Sequence, residues 1–132
     1  MNLISRGSIY MARLPVLDEH SSVQGGLRPV LIIQNDIGNA YAPTVQVIPL
    51  TSKNKKALPI HTTIKSGGLL KESTALAEQI QTVNKTILRQ YIGKVDDETM
   101  NRVNACIMIQ LGLIKNYGGK ENGNCIFTWS DS

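Results

Sequence analysis

The stretch Gln24-Gly25-Gly26-Leu27-Arg28-Pro29-Val30-Leu31-Ile32-Ile33-Gln34-Asn35-Asp36 joins a pair of glycines, a cation and an apolar run. Val30 to Gln34 is short, apolar and rich in β-branched residues, and so reads as a buried strand. The two glycines allow a close backbone approach just before it. Arg28 then stands at the mouth of that strand, and its planar guanidinium suits a phosphate. The plainer alternative is an exposed arginine at a strand start. Asn35, Asp36, Gly38 and Asn39 follow as turn chemistry.

Upstream, Ser8 to Leu14 reads as a first strand ended by Pro15, and Pro15 to Gly26 as a polar loop. Loops of that length inside compact domains are usually functional or disordered. Downstream, Thr44 to Thr51 is a strand with Val45 and Val47 on one face; Pro49 cannot donate to a ladder, which predicts a bulge or an edge there. Ser52 to Ala57 is a basic loop with Lys53, Lys55 and Lys56, Ile60 to Ile64 a further strand, and Gly67-Gly68 a turn. Thr74 to Val83 alternates, placing Leu76, Glu78, Ile80 and Thr82 on one face and Ala77, Gln79 and Gln81 on the other. Asn84 can cap a single helical turn ending near Leu88, and Gln90 to Val95 returns as a strand.

Asp96 is a good N-cap, with Asp97 and Glu98 complementing the helix dipole behind it. Met100, Val103, Ile107, Leu111 and Ile114 recur at helical spacing as one apolar stripe. Gly112 weakens its last turn by about 1 kcal/mol. Several short, mostly antiparallel strands followed by a helix give an α+β fold, a small barrel or curled sheet. Residues 1–116 form the domain, and 117–132 a polar tail whose composition predicts mobility.

A chain of 132 residues, 42% apolar and 18% charged, fits one globular domain. The net charge of +4 is unevenly spread: residues 1–66 carry seven Lys/Arg against three Asp/Glu, and 67–132 carry seven of each. A cationic first half attracts phosphates or acidic peptides, although a solvated basic surface has the same composition. Cys106 lies in an apolar run, as a buried thiol does, and Cys125 in the polar tail. Neither has His or Cys neighbours at ligand spacing, so no metal or other cofactor is expected. With no signal peptide or membrane span in the sequence, the reading is a cytoplasmic protein.

Further polar candidates are distributed along the strands. Thr51 and Ser52 can hydrogen-bond a phosphate or position a 2′-OH. His20 and His61 have the titration range for acid–base work, but nothing in the sequence brings them together. Gln79, Gln81 and Thr82 can read base edges of single-stranded RNA or simply face solvent.

The order of these segments closely resembles the MazF/PemK (Kid-like) toxins. Arg6-Gly7-Ser8-Ile9-Tyr10 and the Gln24–Asp36 block resemble the opening of those proteins. Leu50-Thr51-Ser52, Leu58-Pro59-Ile60-His61, Glu78-Gln79-Ile80-Gln81-Thr82-Val83 and the helix after Asp96-Asp97-Glu98 follow in family order, over about residues 5–115. The resemblance implies a homodimer of small SH3-like (CcdB/PemK-type) antiparallel β-barrels with a C-terminal helix. It implies a sequence-specific endoribonuclease acting on single-stranded mRNA, neutralised by a MazE-like antitoxin whose acidic C-terminal segment occupies the same groove.

Arg28 and Thr51 fall on the family's catalytic positions. Ser22 and Gln24 fall in its RNA-contacting loop, and Leu58, His61, Gln79 and Thr82 on its RNA-binding segments, with Ser52 beside Thr51. Similarity to toxins of Gram-positive bacteria points to a short A- and U-containing site of the UACAU kind. Three features depart from the pattern: Ser8 where Asp is common, Gln81 where Arg is common, and the tail after Tyr117. The competing class is a non-catalytic toxin that binds protein, as the CcdB gyrase poisons do.

Overall fold

The computed structural model describes residues 4–15, 25–53 and 57–115, and the backbone of 119–121 and 124–126. Seven strands form one sheet: β1 (Ser8–Leu14), β2 (Gly26–Ile32), β3 (Thr44–Thr51), β4 (His61–Ile64), β5 (Ser73–Leu76), β6 (Gln81–Asn84) and β7 (Leu88–Lys94). The hydrogen-bonded order is β4-β5-β3-β2-β1-β7, with β6 also on β3. Every ladder is antiparallel. The antiparallel sheet with its C-terminal helix is the expected fold, and among the described residues no ladder joins β4 to β7. A small hairpin, β8 (Gly119–Glu121) with β9 (Asn124–Ile126), pairs apart from it.

The central strands β1, β2 and β3 are buried on both faces, which is why they carry continuous apolar runs. Ile9, Leu31, Ile48 and Leu50 join one core with Met100, Val103 and Cys106 of the helix α2 (Asp97–Gln110). Their strand neighbours Tyr10, Ala12, Val30, Ile32, Val45 and Val47 point the other way, into a second core. Period-2 alternation thus sorts adjacent apolar residues between two cores.

Four sequence expectations need correction. Arg28 is the third residue of β2, paired with Ala12, because β2 begins at Gly26 rather than Val30. Asn35 to Asn39 is no simple turn: Asn35 Oδ1 accepts from the Gly38 amide at 2.8 Å and caps a short helix, α1 (Asp36–Tyr41). Thr74 to Val83 is not one alternating strand, since a 3-10 turn at Ala77–Gln79 separates β5 from β6. Across from it only Ile48 and Pro49 lie between the β5-paired and β6-paired parts of β3. Pro49 therefore sits where that side has no ladder pair, opposite the 3-10 turn between β5 and β6. Finally, α2 stops at Gln110 and Gly112 turns with φ 73°, so Leu111 and Ile114 leave the apolar stripe and stand 58% and 44% exposed.

The opening Arg6-Gly7 is a clasp. Arg6 Nε donates to the Ile33 carbonyl at 2.8 Å, Nη2 to Asn104 Oδ1 at 2.6 Å, and its amide to Asp36 Oδ1 at 2.7 Å. It ties the start of β1 to the end of β2, to α1 and to α2. Cys106 is buried as expected, and burial pushes its thiol up to about 11.

Asp96 caps α2 by accepting from the Thr99 amide at 2.9 Å. Hydrogen bonds from Thr99 hold its carboxyl below the ordinary aspartate value. A depressed folded pKa contributes stability that is full above the unfolded value, about 3.9, and fades as pH falls through the folded one. Asp96→Ala should therefore lower the urea midpoint at pH 7, and the gap from the native chain should narrow as pH falls below about 3.9. A gap that persists unchanged in acid would show that the cap does not act through its charge.

Candidate nucleic-acid interface

Arg28 is held by its own approach loop. Gly26 turns with φ 80°, a conformation that costs other residues, and Arg28 Nε donates to the Gly25 carbonyl at 2.7 Å. Among the described residues neither terminal guanidinium nitrogen has a hydrogen-bond partner. The anchored Nε fixes the plane, and the two remaining nitrogens form a fork for two phosphate oxygens.

Arg28 and the exposed Ser52 line one hollow of about 300 Å³, whose walls are mostly apolar: Met11, Pro29, Leu50, Leu69 and Ile92 among them. Two residues of its rim, Leu27 and Leu70, are 51% and 102% exposed. Thr51 is placed differently. The β2–β3 register, Val30 with Pro49 and Ile32 with Val47, extends by two residues to set Thr51 opposite Arg28. Yet Thr51 is buried, and its Oγ1 accepts from the Lys53 amide at 3.2 Å. Ser52, not Thr51, shows its hydroxyl to solvent beside Arg28.

A second group gathers on β4 and the 3-10 turn. His61 Nε2 lies 2.9 Å and 3.0 Å from the two Glu78 oxygens, with the imidazole only 8% exposed. Gln79, next to Glu78, is half-buried at the end of that turn. Leu58 packs on the first core, and its carbonyl accepts from the His61 amide at 2.9 Å. Thr82 is exposed on β6 opposite Gln46; Gln81, opposite Val47, is half-buried. Ser22, Gln24 and His20 lie outside the described residues. The sequence had no signal for the role of Glu78, because the turn that aims it at His61 reads as uninterrupted strand. Among the described residues, no group of three or more His, Cys, Asp or Glu side chains is placed to hold a metal ion.

The description "PemK-like, MazF-like toxin of type II toxin-antitoxin system" fits residues 5–111. The chain belongs to this family. The toxin is 45% identical over 116 residues to "Endoribonuclease EndoA" of Bacillus subtilis, covering 85% of this chain and 97% of that one. It is 43% identical over 114 residues to "Endoribonuclease MazF" of Staphylococcus saprophyticus, covering 84% and 93%. Among solved structures, a mycobacterial endoribonuclease in complex with its cognate antitoxin superposes on the toxin with a TM-score of 0.69 at 28% identity, covering 84% of this chain and 97% of that one. MazF from Deinococcus radiodurans gives 0.72 at 19% identity, covering 85% and 99%, a likeness of fold alone.

Proposed function

We propose that this toxin cuts single-stranded mRNA at a short specific sequence by transesterification, without a metal ion. It is an endoribonuclease toxin by family and by relatives sharing nearly half its residues, and those relatives leave the non-catalytic gyrase-poison reading without support. The observation that carries the mechanism is the two-pronged guanidinium of Arg28, anchored through Nε at the rim of an open hollow.

The substrate's 2′-OH attacks the adjacent phosphorus and the 5′-oxygen leaves, giving a cyclic phosphate and a 5′-OH. Arg28 stabilises charge on the pentacoordinate phosphorus, an interaction that strengthens toward the transition state. It is too basic to take a proton. Thr51 already accepts from the Lys53 amide, which leaves its own O–H as a donor, and because Thr51 is buried that donor reaches the phosphate when RNA opens the Thr51–Lys53 turn. Ser22, Gln24, Ser52, Leu58, His61, Gln79 and Thr82 bind the RNA, with His61 oriented by Glu78. A site of the UACAU kind is the sequence we expect. Cleaving a long transcript in EDTA and reading the new 5′ ends tests this function: repeated cuts at one short sequence support it, and an intact transcript refutes it.

The two hydroxyls separate cleanly by mutation. Thr51→Val should lower cleavage about 10²-fold or more, the usual effect of losing one transition-state donor, while barely changing affinity for a 2′-deoxy substrate analogue. Ser52→Ala should change cleavage only a few-fold. If the two results were reversed, the exposed Ser52 would be the acting hydroxyl.

The working form is a homodimer in the cytoplasm, built from residues 1–116 with 117–132 as a tail. Exposed Met108, Leu111, Leu113 and Ile114 at the end of α2 supply apolar surface for a second copy. An acidic C-terminal segment of a MazE-like antitoxin competes with RNA for the basic groove, and its association weakens as salt rises.

A further inference from the structure

A second cavity, of about 660 Å³, opens beyond His61 between β4 and the first turns of α2. Its lining is polar: Thr62, Thr63, Ser66, Thr74 and Thr99 bring hydroxyls, Lys65 and Arg102 positive charge, and Asp96 and Glu98 carboxylates. Arg102 organises it. Its Nε donates to Thr62 Oγ1 at 3.2 Å, Nη2 to the Thr63 carbonyl at 3.3 Å, and Nη1 to Glu98 at 3.1 Å, so the α2 side chain reaches across to β4. Lys65 is freer, 75% exposed and 3.9 Å from Glu72.

The cavity lies three strand spacings from Arg28 along the sheet. Thr51 pairs with Thr74, and Thr74 with Thr63. With strands ~4.8 Å apart, this row from Arg28 through Thr51 and Thr74 to Thr63 spans roughly 15 Å. That is a reach of a few nucleotides.

Resting on the ribonuclease reading, we infer that this cavity is an accessory subsite for a ribonucleotide flanking the recognised sequence. The lining carries anion-binding cations and acceptor carboxylates in equal number. A ribonucleotide supplies both complements, a phosphate for Lys65 and a donating 2′-OH for Asp96 or Glu98, while Arg102, bonded to Thr62, Thr63, Glu98 and Thr99, frames the wall between them. The carboxylate side chains of an acidic peptide offer acceptors alone and meet two carboxylates of like charge. The subsite therefore lengthens the footprint on RNA and prefers ribose to deoxyribose.

Once the cut site is mapped, three oligonucleotides test this: the trimmed site, the site with three ribonucleotides added at either end, and the same with deoxy flanks. One flank of ribonucleotides should raise kcat/KM roughly tenfold, the size of one or two hydrogen bonds to charged groups. Deoxy flanks should lose most of the gain. Lys65→Ala should also lose it, while still cutting the trimmed site like the native chain. Lys65→Ala is the decisive variant, since Arg102 holds β4 to α2. A flank effect unchanged in Lys65→Ala, or no flank effect, overturns the subsite; a gain that survives deoxy flanks overturns the ribose assignment. Failure to cut any RNA, long transcript included, refutes the ribonuclease reading instead.

Discussion

Arg28→Ala should lose cleavage by several hundredfold or more while folding normally. The size follows from the role. Each 1.36 kcal/mol of lost transition-state stabilisation costs about tenfold in rate, and a charge-stabilising donor in a partly dry site is worth several such steps. The fold is spared because the guanidinium makes only one hydrogen bond to a described residue, Nε to the Gly25 carbonyl. Arg28→Lys should recover only part of the loss, since an ammonium keeps the charge and gives up the two-pronged geometry. The measurement is kcat/KM beside a urea melt. Near-native cleavage by a well-folded Arg28→Ala would remove Arg28 from the reaction.

Gly93→Ala should be among the most damaging small substitutions to the fold. Gly67 and Gly68 turn with φ 77° and 85°, and their backbone rests directly on β7. A Cβ on Gly93 would stand 2.3 Å from the Gly67 carbonyl oxygen and 2.8 Å from its carbon. No flexible side chain is there to give way, so backbone must move, at a cost of about 3 kcal/mol or more. The same loop carries Leu69, Leu70 and Lys71 into the hollow beside Arg28, so cleavage should fall with stability. Gly112→Ala is the control: its Cβ meets open space, and only its φ of 73° is unfavourable, about 1 kcal/mol. Equal urea midpoints for the two variants would contradict this packing.

The sequence carried the sheet where local chemistry and burial agree. Apolar Val30 to Ile32 marks β2, and Asp96 with Asp97 and Glu98 marks the start of α2, because runs and caps are local signals. It misled where long-range packing decides. The 3-10 turn at Ala77–Gln79 lies in a stretch that alternates convincingly, and only its pairing with β3 on both sides shows the interruption. The site was legible in a similar, partial way. Motif order singled out Arg28, Thr51 and His61, but not that Thr51 is buried under a Lys53 hydrogen bond, nor that Glu78 grips His61. Those facts depend on which loop folds over which strand end, and no local pattern encodes that.

The most direct test is to cut an RNA bearing the mapped site, in EDTA, and to analyse both new ends, alongside the same RNA with a single 2′-deoxy sugar immediately 5′ of the cut. The mechanism predicts a cyclic phosphate and a 5′-hydroxyl from the first and no cleavage of the second. A 5′-phosphate product, loss of cleavage in EDTA, or cutting of the deoxy substrate would contradict attack by the RNA's own 2′-hydroxyl at Arg28.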